Sequence, residues 1–195
     1  MNYLAHIYLA EDNDESRLGN FLGDFVNKSL EKNYNSSIKK GIYMHRKLDS
    51  FTDSNPIFLE SKKRISSSNS FFSAVLIDIF YDHFLAKNWC EYSKVPLEEY
   101  ADNFYELLKN YSYCLPEKLT KRLSYIIEEN WLLSYKHLDG IKKPVDRIAL
   151  RFSKSRHPLY NPIEELINNY ESLEKDFEKF FREVMEYAKL LKMQN

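Results

Sequence analysis

Glycine, proline and cysteine are scarce in this chain, at four, six and two residues out of 195. So few glycines and prolines leave little material for the tight turns of a sheet-rich fold. Long stretches instead follow a period near 3.6, which favours helices joined by short loops. Cys90 and Cys114 lie far apart and share no metal-ligand spacing. That argues against a structural zinc site and makes both residues free, buried thiols of a cytoplasmic protein. No cleavable secretory segment is recognisable, and no apolar run reaches the roughly eighteen residues needed to span a bilayer. Charge of one sign is lacking too. A formal net charge of -1 offers nucleic acid and anionic membrane no global attraction, so any basic docking surface must be local. There is no phosphate-cradling glycine loop, nucleophile elbow or dinucleotide fingerprint.

Aromatic residues, by contrast, are abundant, with 15 Tyr and 13 Phe, which excludes a disordered chain. The length suits one domain with a full core, and we expect an all-α, single-domain helical bundle over residues 1–195. Helices are expected from Asn2 to Ala10, from about Glu15 or Ser16 past Val26, and from a cap at Ser36 or Ser37 through Asp53. Others run from Asn55 and Pro56 to Arg64, from Phe71 to Leu85, and from Val95 and Pro96 to about Cys114. Pro116 begins one reaching Leu132, Gly140 marks a stop, and Asn161 with Pro162 opens a long final helix.

A polar pattern repeats inside these apolar segments. Asn2 and His6, Asn20 and Asp24, His45 with Asp49 and Asp53, and Asp78 and Asp82 each stand four apart. That spacing stacks side chains on one helix face. Taken singly, each has a bland reading: His6 as a core histidine, Asp24 as a helix-terminal aspartate, the His45 stripe as a solvated face. Yet the seam Ile38, Ile42, His45, Asp49, Asp53 begins apolar and turns ionisable, as a helix leading from core into a polar cavity would. Asp24 stands between apolar neighbours and is expected to point inward. The stretch from Phe71 to Leu85 is apolar except for Ser73, Asp78, Asp82 and His83. Carboxylates there need a cation, either a metal ion or a salt bridge, for example to Arg46. Gly19 and Gly23 each cost about 1 kcal/mol relative to alanine in a helix and imply close approach of another backbone or a ligand. Helices burying such pairs together would assemble an oxygen-and-nitrogen site suited to Mn²⁺, Mg²⁺, Fe or Zn²⁺. A divalent ion polarises a phosphoryl oxygen and lowers the pKa of bound water towards about 7, so metal-assisted hydrolysis of a phosphate ester is the chemistry expected.

The motifs NYLAH at 2–6, GNFLGDF at 19–25, GIYMHRKLDSFTDSNP at 41–56, DIFYDHFL at 78–85 and WLLSY at 131–135 together resemble the acyl carrier protein phosphodiesterases, or holo-ACP hydrolases. The resemblance implies an HD-domain-like helical fold. It also implies Mn²⁺-dependent cleavage of the phosphodiester joining 4'-phosphopantetheine to a serine of acyl carrier protein. It carries the family's metal-site aspartate onto Asp24, and its HRxxD and DHF motifs onto His45, Arg46, Asp49, Asp82 and His83. Expected metal ligands are therefore Asp24, His45, Asp82 and His83. His6, Asp49, Asp53 and Asp78 are further ligands or groups that orient a ligand or its water, with Asp49 and Asp53 favoured as orienters of His45. Arg46 is expected to clamp the phosphate or to pair with Asp49 or Asp82. The expected partner is holo-acyl carrier protein, with no nucleic acid and no membrane. Acyl carrier proteins are acidic, and between Lys142 and Arg156 six cations outnumber Asp146 alone, a local charge of +5 that would receive one. Two alternatives stand beside this reading: an HD-type nucleotide phosphohydrolase, and a non-catalytic helical module whose polar pairs are buried hydrogen-bond networks.

Overall fold

Asparagine opens the early helices. In the computed structural model, which describes residues 1–194, Asn2 precedes α1 (Tyr3–Leu9), and Asn13 caps α2 (Asp14–Leu22) by accepting from the Ser16 amide. Asn27 caps α3 (Lys28–Glu31), and Asn35 caps α4 (Ser36–Ser54) by accepting from the Ile38 amide. The α4 cap is thus Asn35 rather than Ser36 or Ser37, and both serines enter the first turn. Asn55 and Pro56 open α5 (Pro56–Arg64) in the expected way, with the Asn55 oxygen accepting from Ile57 and Phe58.

Later boundaries differ more. The expected helix from Phe71 divides into a 3₁₀ turn (Ser67–Phe72) and α6 (Ser73–Lys87). Phe71 lies in solvent while Phe72 anchors the turn in the core. α7 (Leu97–Asn110) starts after Pro96 and stops short of Cys114, which closes a separate 3₁₀ turn. The segment from Pro116 to Leu132 breaks into α8 (Glu117–Thr120), α9 (Leu123–Glu128) and α10 (Trp131–Ser134). Asn130 takes a left-handed backbone at φ 43° between the last two, a conformation asparagine tolerates. Gly140 is no stop, for it lies inside α11 (Leu138–Phe152). A Cβ there would collide with the Ser134 backbone, so its lack of side chain serves close packing instead of a turn. Asn161 and Pro162 open α12 (Pro162–Met193), the long final helix.

These twelve helices, with no strand among the described residues, share one core. α6 is apolar on nearly every side and packs against α1, α5, α11 and α12, as an all-round apolar helix must. Phe80 and Phe84 of α6 are fully buried with Phe58, Phe177, Phe180 and Phe181. α2 and α4 form the most extensive helix pair because Gly19 and Gly41 let their backbones touch. Cys90 is exposed, against expectation, since Trp89 takes the buried position of its short turn. Among the described residues, no helix is long and apolar enough to cross a membrane.

Candidate metal centre and its cavity

α1, α2 and α4 bring His6, the Asn20 carbonyl, His45 and Asp49 to one place. Asp49 bridges two histidines, with Oδ1 3.0 Å from His6 Nε2 and Oδ2 2.9 Å from His45 Nε2. The two rings stack with centroids 3.8 Å apart. Donor atoms of His6, His45 and Asp49 all lie within 4.8 Å of one another. The Asn20 carbonyl oxygen is 2.8 Å from His45 Nδ1. A carbonyl only accepts, so Nδ1 carries the hydrogen and Nε2 of a neutral ring presents a lone pair. That nitrogen also lies 3.4 Å from Asp24 Oδ1.

Two carboxylates and a lone pair this close need positive charge between them, from a proton or a metal cation. Protonation is one answer: burial opposes charge on His45, but its hydrogen bonds to Asp24 and Asp49 raise its pKa to about 9. Burial lowers His6 to about 4 against the pull of Asp49. Burial would push the Asp49 carboxyl up, but hydrogen bonds from His45 and His6 hold it well below the usual carboxylate range. The donor set fits a divalent cation equally well, since two imidazole nitrogens with carboxylate oxygens suit Mn²⁺, Fe or Zn²⁺. His6 Nδ1 is buried without a hydrogen-bond partner, while the Asp49 carboxylate beside Nε2 only accepts, so in the absence of metal the His6 hydrogen sits on Nε2 and a cation would replace it there. The same wall already accommodates a cation: the Met1 α-amino group lies 3.2 Å from both Asp49 Oδ1 and Asp78 Oδ1.

The other motif residues are distributed differently. Asp24 does not point into the core. α2 ends at Leu22, and Asp24 stands in the following turn, half exposed on a cavity it shares with Asp49, Asp53 and Asp78. Gly23 beside it has no Cβ, and one there would overlap the His45 ring. Asp82 is fully buried, and its two oxygens accept from the amides of Leu4 at 2.8 Å and Ala5 at 3.0 Å. It therefore caps α1 from another helix, where Asn2 makes no side-chain cap. Burial raises the Asp82 carboxyl to about 7, opposed by these two donors. His83 has both ring nitrogens engaged, Nδ1 2.8 Å from the Tyr135 carbonyl and Nε2 2.8 Å from the Tyr170 hydroxyl. Arg46 donates to Glu31 at 2.8 Å and to the Val26 carbonyl at 3.4 Å, pairing with neither Asp49 nor Asp82.

The acidic wall closes one side of a cavity of about 1060 Å³. Tyr3, Trp131 and Tyr135 contribute aromatic surface. From the basic segment, Lys143, Arg147 and Arg151 face the cavity, while Lys142 is drawn to Asp146 at 2.6 Å. Arg122 and Tyr125 also line it. Sequence reasoning missed both, because the segment from Pro116 to Leu132 reads as an ordinary helix, in which a single arginine or tyrosine carries no charge-run signal.

A family model described as acyl carrier protein phosphodiesterase matches residues 1–184. Proteins named acyl carrier protein phosphodiesterase are similar over nearly the whole chain. The Enterobacter sp. (strain 638) protein is 30% identical over 194 residues, 97% of this chain and 98% of its own. An Escherichia coli O6:H1 relative is 30% identical over 193 residues, 96% and 97% of the two chains. The Photorhabdus laumondii protein is 30% identical over 190 residues, 96% of this chain and 92% of its own. No solved structure matches. The matches run through the stretches around Asp24, His45 and Asp82 and on into α12, so this chain belongs to the acyl carrier protein phosphodiesterase family.

Proposed function

We propose that this chain is a metal-dependent phosphodiesterase that removes 4'-phosphopantetheine from holo-acyl carrier protein, giving apo-carrier and free phosphopantetheine. The observation that carries this reading is His45 Nε2, set against Asp49 and Asp24 beside an open cavity while Asn20 occupies its Nδ1–H. His6, His45 and Asp49 would hold the cation, with Asp24 beside them. Mn²⁺ is our first choice, and Mg²⁺, Fe and Zn²⁺ are compatible with some of the same donors. When bound, such an ion supplies Lewis acidity towards a phosphoryl oxygen and water.

The chain's own part is positioning. Asn20 selects the His45 tautomer that leaves Nε2 free to ligate. Asp82 secures the first turn of α1 and with it His6, and Asp53 and Asp78 on the same wall orient water. We assign His83 a packing role between Tyr135 and Tyr170, and Arg46 a structural ion pair with Glu31. The relatives' names support acyl carrier protein as the partner, and Arg147, Arg151 and Lys143 at the cavity suit an acidic one. We assign the reaction to the cytoplasm.

The test incubates purified protein and Mn²⁺ with holo-carrier protein and, separately, with nucleotides. Mass spectrometry should register loss of the phosphopantetheine mass from the carrier. An unchanged carrier alongside nucleotide turnover overturns the reading.

A further inference from the structure

Three guanidinium groups line the cavity without a carboxylate to answer them. Its two lysines are paired, Lys121 with Glu117 at 2.6 Å and Lys143 with Glu129 at 2.9 Å. Arg122, Arg147 and Arg151 line the same space and make no salt bridge among the described residues. Arg147 sits over the Tyr125 ring at 4.9 Å. Tyr125 meets Trp131 edge-on at 6.1 Å, and Trp131 stacks on Tyr3 at 6.3 Å. Stacking orients a guanidinium plane and leaves its N–H edges free for a planar pair of anionic oxygens.

Arg122, immediately before α9, lines the same cavity. Burial raises the Tyr3 phenol to about 12, Asp24 adds to the rise and Arg122 opposes it. The acidic and basic walls are therefore both within electrostatic reach of one hydroxyl. An exposed arginine alone is ordinarily a solvated surface group. Here two arginines, one in α11 and stacked on Tyr125, the other just before α9, line a cavity of ligand size together with four aspartates.

Resting on the phosphodiesterase reading above, we propose that Arg122 and Arg147 form a phosphate-binding wall that holds the phosphoryl oxygens of the phosphopantetheine group. They take the clamp role that the motifs suggest for Arg46, whose guanidinium is engaged by Glu31.

The test uses metal-free protein and calorimetric titration with 4'-phosphopantetheine, with pantetheine, which lacks the phosphate, and with inorganic phosphate. Phosphopantetheine is expected to bind more tightly than pantetheine, and inorganic phosphate to compete with it. Arg122→Ala and Arg147→Ala should each remove about tenfold of that preference, with Arg147→Lys keeping part of it. Arg156→Ala, outside the cavity, should change nothing. A double Arg122→Ala, Arg147→Ala variant with the wild-type preference overturns the proposal. So does a double variant that loses affinity only for intact holo-carrier, which would make the wall a docking surface for carrier carboxylates. Turnover is measured separately. If the carrier is not hydrolysed while the arginine-dependent preference persists, the phosphodiesterase reading falls and the phosphate wall stands.

Discussion

At His45 one backbone carbonyl decides the chemistry. With Nδ1–H committed to Asn20, Nε2 hosts either a proton or a metal, and the two exclude each other. In metal-free protein the folded pKa of about 9 lies above the ordinary value of about 6.5. The stabilisation this brings is full below about pH 6.5 and is lost as pH rises through about 9. Thermal unfolding of metal-free protein should therefore show Tm falling across that window, and His45→Gln should flatten the slope. Metal must displace the proton, so Mn²⁺ affinity should rise with pH. Binding near neutral pH should release about one proton, read by calorimetry in buffers of different ionisation heat. Asp49→Ala removes the carboxylate both histidines share and is expected to weaken Mn²⁺ binding by about 100-fold or more, with helical circular dichroism retained. His83→Ala should instead leave Mn²⁺ affinity unchanged while costing about 1–3 kcal/mol of stability, because the Tyr135 carbonyl loses a buried donor.

Helix α1 illustrates how an element is held by a residue far away in sequence. Asp82→Ala strips the acceptor from two amides at the start of α1, and we expect a loss of about 2–4 kcal/mol in urea unfolding. Asp82→Asn should cost less, because its amide oxygen still accepts. Both variants should weaken metal binding through His6, and a stable Asp82→Ala protein would refute the capping role. Between α2 and α4, Gly23→Ala would press on the His45 ring. It should lower metal affinity more than stability, since the ring can yield at the cost of its alignment with Asp49.

For the molecule as a whole, a formal charge of -1 conceals separation. Aspartates from α4, α6 and the turn after α2 gather on one wall, and arginines from α11 and the start of α9 on another. Net composition averages these away, yet on the proposed function a carrier arriving at the cavity would meet them separately. Raising ionic strength from about 0.05 to about 0.5 M shortens the Debye length from roughly 14 to roughly 4 Å. The KM for holo-carrier should rise several-fold under that change with kcat little altered. A KM indifferent to salt would remove the steering role of the basic wall.

Helical class, the long final helix and the spacing-four pairs were legible from residue order alone, because periodicity and capping are relations between near neighbours. The nearness of His45 to Asp49 was legible for the same reason, whereas Asp24, expected to point inward, stands half exposed on the cavity. Which partners each ionisable group meets was decided by contacts across the fold. Asp82 and His83 are adjacent on α6, yet one caps α1 and the other joins the Tyr135 carbonyl to Tyr170. Arg46 went to Glu31, and Arg122 arrived at the cavity from a segment that reads as one helix from Pro116 to Leu132 but is divided on either side of α9. Such assignments depend on which helix packs beside which, and that follows from burying the whole core at once.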